Sequence, residues 1–265
     1  MSPTDPLTTQ IPAAYRVRAM AGAFFRRSMT RARNQFLSLA KNSCRETQRT
    51  LLMDLLRLNQ SSKFSRDHGL SDKTTLEEFR RRVPVADYEL IRSYVDQVAS
   101  GDHSALLGSG NKLMMFATTS GTTAASKLIP VTQRFLDDYR CGWQTWGIGT
   151  YTDHPILQKL NIVQISSSHQ KSQTVGGTPC GNISGLVAAM QKRVVRSMYT
   201  IPATVAEVAE AETKRYVILR LALADPWVGM QITANPSTLL QLHEFANASA
   251  EQLIRDIRDG GISGA

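Results

Sequence analysis

The sequence has no long apolar run. Nothing in its 265 residues approaches the roughly 20 consecutive apolar residues that a membrane helix needs. Residues 1–10 have neither a basic start nor an apolar core, which argues against a secretory leader. Cysteine is scarce. Cys44, Cys141 and Cys180 are odd in number and far apart, which suits a reducing, cytoplasmic compartment better than a disulfide framework. The five histidines form no His-x-x-x-His pair and have no Cys-x-x-Cys nearby, so a protein zinc site is not expected. Acidic residues are the minority, 22 against 31 Lys and Arg, and the net charge is +9. Residues 11–50 hold nine of the cations (16, 18, 26, 27, 31, 33, 41, 45 and 49) against one acid, Glu46. Such a segment can hold nucleic acid or an anionic membrane, or be the solvated side of a helix, the commoner case. A presequence is a third option, and Asp5, Pro3, Pro6 and Pro12 count against it. The remaining composition, 42% hydrophobic and 20% charged, is that of an ordinary globular domain.

Periodicity organises the chain as an alternation of helices and strands. Residues 1–12 are polar and proline-bearing, hence expected to be disordered. Residues 14–40 and 43–59 read as two helices, the second opened by a Ser43/Glu46 capping box and ended by a leucine-rich half. Those leucines need a partner, so the pair is expected to pack as a layer on the main domain. Short helices follow over 75–82 and 87–98, separated by Pro84. Thr132 is a natural N-cap for a helix from about 133 to 151, whose Phe135, Tyr139, Trp143 and Trp146 are expected to be core. Strands are expected over 160–165 and 227–233, a helix over 204–223, and another from Ser237 reaching towards Ile257. Gly176 to Gly181 has the outline of a P-loop without its Lys-Ser/Thr. Ser184, in Gly181-Asn-Ile-Ser-Gly185, lacks the Gly-x-Ser-x-Gly of a nucleophile elbow.

The most chemical stretch is Met114 to Thr132. Apolar runs at 113–117 and 128–131 enclose Thr118, Thr119, Ser120, Gly121, Thr122, Thr123 and Ser126, and Lys127 closes the loop. Backbone N–H groups freed by a glycine turn can converge on a phosphate. Short hydroxyls add donors, and a lysine adds a point charge. A plain Ser/Thr turn between strands would look the same.

Thr119-Ser-Gly-Thr-Thr-Ala-Ala-Ser-Lys127 resembles the phosphate-binding signature of the adenylate-forming superfamily, Thr-Ser-Gly-Thr-Thr-Gly-x-x-Lys, with Ala124 where glycine is usual. The flanks narrow the resemblance. Asn59 to Leu70, Thr75 to Glu89 and Ile91 to Asp102 are similar to the auxin-responsive Gretchen-Hagen-type acyl acid–amido synthetases and their bacterial relatives. The resemblance implies an α/β fold, the N-terminal part of an adenylate-forming large domain. It would have mixed sheets flanked by helices and an N-terminal two-helix layer, with 13–70 helical and 71–265 α/β. It implies ATP and Mg2+ as cofactors, and a carboxylic acid and an amino acid as substrates. Thr119, Ser120, Gly121, Thr122 and Thr123 would bind nucleotide, and Lys127 would be catalytic. The superfamily's adenine-stacking signature, ribose-binding aspartate and mobile C-terminal domain would lie further downstream. The chain therefore reads as the N-terminal portion of a longer synthetase or a truncated homologue. The alternative reading is a basic protein that binds anionic lipid or nucleic acid through the 16–49 helix.

Overall fold

The computed structural model describes residues 11–118, 127–191 and 193–263. In chain order the helices are α1 (Ala13–Ala21), α2 (Ala23–Asn42), α3 (Cys44–Asn59), α4 (Lys63–Asp67), α5 (Leu76–Arg82) and α6 (Glu89–Ala99). Strands β1 (Leu113–Thr118) and β2 (Leu128–Thr132) lead into α7 (Gln133–Asp153). Then come β3 (Asn161–Gln164), β4 (Ser172–Gln173), β5 (Pro179–Gly181), α8 (Ile183–Ala189) and α9 (Arg193–Arg196). The last elements are α10 (Ala211–Ala224), β6 (Val228–Ile232), α11 (Ser237–Ala248) and α12 (Ala250–Asp259).

Local chemistry explains where these elements depart from their expected bounds. Ile11 is buried and Pro12 caps α1, so order starts before Ala13. The expected 14–40 helix breaks at Gly22, whose N–H turns back to the Arg18 and Met20 carbonyls. Ser43 makes no side-chain cap. Its N–H bonds the Leu39 carbonyl and its carbonyl takes the Thr47 N–H, both at 2.9 Å, so the backbone runs on from α2 to α3 without a fresh N-terminus. The capping box forms instead at α5, where Thr75 and Glu78 satisfy each other's N–H groups. Thr132 does cap α7, accepting from Phe135 N–H at 3.2 Å. The helix expected over 204–223 is a 3₁₀ turn followed by α10, whose first N–H groups are capped by the Glu210 carboxylate. The helix expected to reach Ile257 breaks at Ser249.

The chain divides into two compact units, one holding the described residues of 30–146 and 169–183, the other those of 1–29, 147–168 and 184–265. The first is built on a four-stranded sheet in the order β2-β1-β5-β4. β1 pairs antiparallel with β2 and parallel with β5, and β4 pairs antiparallel with β5, so the sheet is mixed. Val95 and Val98 of α6 pack with Ala105, Phe116 and Cys180 into its core. The spacing Ile91, Tyr94, Val95, Val98 puts one face of α6 there. α3 contributes less than the leucine pattern suggests. Only Leu56 is buried, and Leu55 is exposed.

The second unit carries the parallel pair β3 and β6. Its core joins Val163, Ile201, Tyr216, Ile218, Leu242 and Leu253. β6 shows the alternation expected of it, with Gly229 and Gln231 the more exposed positions. The aromatics expected as core on α7 are not core. Phe135, Trp143 and Trp146 are exposed, while Leu136 and Ile148 take the buried positions. Spacing alone identifies an apolar row, not which of two rows meets a partner.

Candidate functional site

The hydroxyl-rich loop joins two strands that are paired to its edge. Thr118 of β1 lies opposite Leu128 of β2, so both ends of the loop are held side by side. Thr119, Ser120, Gly121, Thr122 and Thr123, with Ala124 to Ser126, lie outside the described residues. Lys127 is described. It is exposed, directly precedes β2, and places its Nζ 5.3 Å from the centroid of the Tyr88 ring.

Tyr88 is the site residue that sequence reading missed. Its hydroxyl donates to the Leu128 carbonyl at 3.0 Å and accepts from the Leu128 N–H at 3.2 Å. The same ring has the Arg92 guanidinium at 5.1 Å. Arg92 is tied to Glu89, with Nε donating to Oε2 at 2.6 Å. That bond to Arg92 is the main reason the Glu89 carboxyl lies below the usual carboxylate range, and Lys127 adds a smaller pull. Tyr88 lies within the Thr75 to Glu89 segment that carries the resemblance, but no short motif singles it out. Only its place one residue ahead of α6, forty residues before the strand it touches, makes it relevant.

Upstream segments prove structural. The Asn59 Oδ1 accepts from Gly108 N–H at 3.1 Å and from Asn111 Nδ2 at 3.0 Å, stapling the turn that leads into β1. A Cβ at Gly108 would stand 2.0 Å from the Leu58 carbonyl oxygen, so only glycine allows this approach. Buried Ser62 and Ser65 bond each other at 3.0 Å, and Ser65 Oγ donates to the Asn59 carbonyl at 2.8 Å. The glycine-rich 176–181 stretch is the turn and second strand of the β4–β5 hairpin. Gly176 lies hard against Ala99 and Gly101 backbone at the end of α6. Burial pushes the Cys180 thiol up, away from a nucleophilic thiolate. Ser184 is an ordinary residue of α8.

Immediately past β2, α7 presents Phe135, Tyr139, Trp143 and Trp146 as a ladder, with successive ring centroids 6.0, 6.2 and 5.4 Å apart. The second unit has its own cavity of about 300 Å³, lined by residues that include Gln164, Gln191, Tyr199, Ile201 and Ile218. In the same unit, Arg18 joins α1 to the start of β3 and, through Asn161, to the end of α10. It donates to Asn161 Oδ1 at 3.0 Å and to the Leu160 carbonyl at 3.1 Å. Asn161 in turn donates to Asp225 at 2.8 Å. Among the described residues no group of three or more His, Cys, Asp or Glu side chains could hold a metal ion.

The sequence pattern of the GH3 family N-terminal domain matches residues 33–265. The chain belongs to the GH3 family. Among GH3 relatives, a probable indole-3-acetic acid-amido synthetase of Oryza sativa subsp. japonica, GH3.2, is 36% identical over 91 residues, 34% of this chain and 15% of that protein. The indole-3-acetic acid-amido synthetase GH3.6 of Arabidopsis thaliana is 34% identical over 104 residues, 39% of this chain and 17% of that protein. A longer match, at 22% identity, is the jasmonoyl–L-amino acid synthetase JAR4 of Nicotiana attenuata, over 86% of this chain and 40% of that protein. The solved structure of the GH3.15 acyl acid amido synthetase superposes with a TM-score of 0.75 at 21% identity, covering 87% of this chain and 41% of that one. This establishes the GH3 N-terminal fold, mixed sheets with flanking helices, for the chain. The chain spans 15% to 41% of the length of these GH3 proteins. No helix among the described residues is long and apolar enough to cross a membrane.

Proposed function

We propose that this chain is the nucleotide-holding part of an ATP-dependent acyl acid–amido synthetase. The observation that carries the reading is Lys127, an exposed cation at the mouth of the strand-paired loop, in a chain of the GH3 family. In the reaction, a carboxylate oxygen attacks the α-phosphorus of ATP and pyrophosphate leaves. An amino acid's amine then attacks the acyl carbon, forms the amide and releases AMP. Step one needs donors placed in advance where charge grows on the leaving group. Thr119, Ser120, Thr122 and Thr123, with the Gly121 backbone, are the proposed donors to the phosphates. Lys127 neutralises the departing pyrophosphate. It fits that task because, among the described residues, it forms no ion pair that would hold it back. Mg2+ would come with the nucleotide, would supply charge neutralisation there and would ask for few protein ligands, which suits a donor set of hydroxyls and one lysine.

The test is acid-dependent exchange of pyrophosphate into ATP. Lys127→Ala lowers exchange on the order of 100-fold, with a smaller loss of ATP affinity. Lys127→Arg rescues poorly, because a planar fork does not replace a compact ammonium. Circular dichroism stays unchanged. Near-normal exchange in Lys127→Ala would sink the proposal.

One observation supports a second reading. α2 buries no residue, and Phe24 and Phe25 are 77% and 63% exposed beside Arg26 and Arg27. Apolar rings among cations suit an anionic lipid surface. Retention on anionic vesicles that is present at about 50 mM salt and lost by about 200 mM supports it. No retention at either removes it.

A further inference from the structure

We propose that Tyr88 is a positioning residue for the loop. Its hydroxyl fixes the chain where the loop rejoins β2, and its ring parks the Lys127 ammonium until a phosphate takes it. This rests on the nucleotide reading of the loop.

A phenol hydroxyl has one donor and can accept as well. Tyr88 spends both on a single residue, Leu128, the first of β2. It thereby does for Leu128 what a neighbouring strand would do. The anchor is firm, because Tyr88 is the N-cap of α6, and α6 is held in the core by Val95 and Val98, both fully buried. Leu128 is also paired in register with Thr118. The last backbone position before the ladder opens into the loop is therefore gripped from two sides.

The ring does something different. Lys127 Nζ and Arg92 Cζ lie 5.3 and 5.1 Å from its centroid. Arg92 is bound to Glu89 and stays. Lys127 has no such tie among the described residues. A cation on the open face of a half-buried ring such as Tyr88 is worth about two- to fivefold or more in an equilibrium constant. A charge-assisted hydrogen bond to phosphate is worth more. So the ring holds the ammonium at the loop's mouth, limits where it wanders, and yields it when phosphate arrives. Tyr88 touches no reacting atom in this scheme. It acts through Leu128 and Lys127.

The two contacts separate experimentally. Tyr88→Phe keeps the ring and loses the hydroxyl, and Tyr88→Leu loses both. With lysines carrying isotope-labelled methyl groups, Lys127 is assigned by the signal missing from Lys127→Arg. Its resonance is ring-current shifted in the wild type and in Tyr88→Phe, and returns to the ordinary lysine position in Tyr88→Leu. The Leu128 amide exchanges about fivefold faster in Tyr88→Phe, the loss of one hydrogen bond. Adding ATP with Mg2+ to the wild type moves the Lys127 signal off the ring-shifted position, and Tyr88→Phe binds ATP about fivefold more weakly at unchanged fold. Unchanged Leu128 exchange in Tyr88→Phe, or a Lys127 resonance indifferent to Tyr88→Leu, overturns the positioning role. If both contacts behave as stated but ATP leaves the Lys127 signal in place, the nucleotide reading of the loop fails, and the ring is no parking place for a phosphate ligand. Should Tyr88→Leu fail to fold, the Leu128 exchange and ATP affinity of Tyr88→Phe carry the test.

Discussion

α2 and α10 are opposites in a way that inverts the usual reading of helices. α2 has the sharper stripe. Phe25, Met29, Ala32, Phe36 and Leu39 follow one another at helical spacing, with Arg26, Arg27, Arg31, Arg33 and Lys41 off that line. Yet α2 buries nothing. α10 has no such stripe: polar residues fill its first turns, apolar ones fill Tyr216 to Ala224 apart from Arg220, and it buries Tyr216, Ile218, Leu219 and Arg220. A stripe shows that a helix has a face to hide. A run of apolar residues without that spacing can still be the part of a helix that the core takes in. α10 can even take a buried arginine, because Arg220 donates to the carbonyls of Asp256 and Gly261 at the end of α12, at 2.9 and 3.0 Å. The Asp256 carbonyl is one of those that the end of a helix leaves without an intrahelical partner. Among the described residues, none of the α2 side chains is buried.

The contrast can be broken by matched truncations. Ile218→Ala on α10 removes a side chain that is 4% exposed and should cost about 3 kcal/mol, from lost burial and the cavity left behind. Urea unfolding reads it, and a cost under about 1 kcal/mol would mean that α10 is not the centre of its core. A smaller effect is expected at Asp225, the C-cap of α10. Burial pushes its carboxyl up. Hydrogen bonds from Asn161, Thr200 and the Trp227 N–H, with the charge of Arg18, outweigh that and hold it below the usual range. A carboxyl depressed by folding stabilises the protein above its unfolded pKa, about 3.9, and that contribution is lost as pH falls through the lower folded value. Asp225→Asn should lower the melting temperature at neutral pH and flatten its decline in acid. Parallel acid profiles for variant and wild type would rule the network out as a source of acid sensitivity. The smallest effect is Phe25→Ala on α2, within about 0.5 kcal/mol. A loss like that of Ile218→Ala would show that the α2 stripe is covered in solution.

What was legible in the sequence follows the range of the interactions involved. Short-range patterns gave β1, β2, β6, α6 and the Thr132 cap of α7, since each depends on neighbours a few residues away. The breaks at Gly22 and Ser249 were missed, because a single residue diverts the backbone without disturbing the apolar spacing on either side. The α7 aromatics were misplaced for the reason α2 and α10 illustrate. Of the site, the loop and Lys127 could be picked out as chemistry. Tyr88 could not, because what makes it matter is a hydroxyl reaching Leu128 across forty positions. Asn59 was legible only as part of a resemblance, and its contact with Gly108 and Asn111 supplies the physical reason for that segment.

Pro130 has a consequence for the margin of the sheet. β2 and β4 are the outer strands, and an outer strand normally offers a row of donors on which another chain can lay a strand. Residues 128 and 130 point the same way along β2. The Leu128 N–H is already taken by Tyr88, and Pro130 has no N–H to give. The opposite margin, β4, is two residues long. Both borders are thus closed to strand addition. Thr118 and Leu128, which flank the loop, therefore lie beside a seam that offers a neighbouring polypeptide little to zip onto.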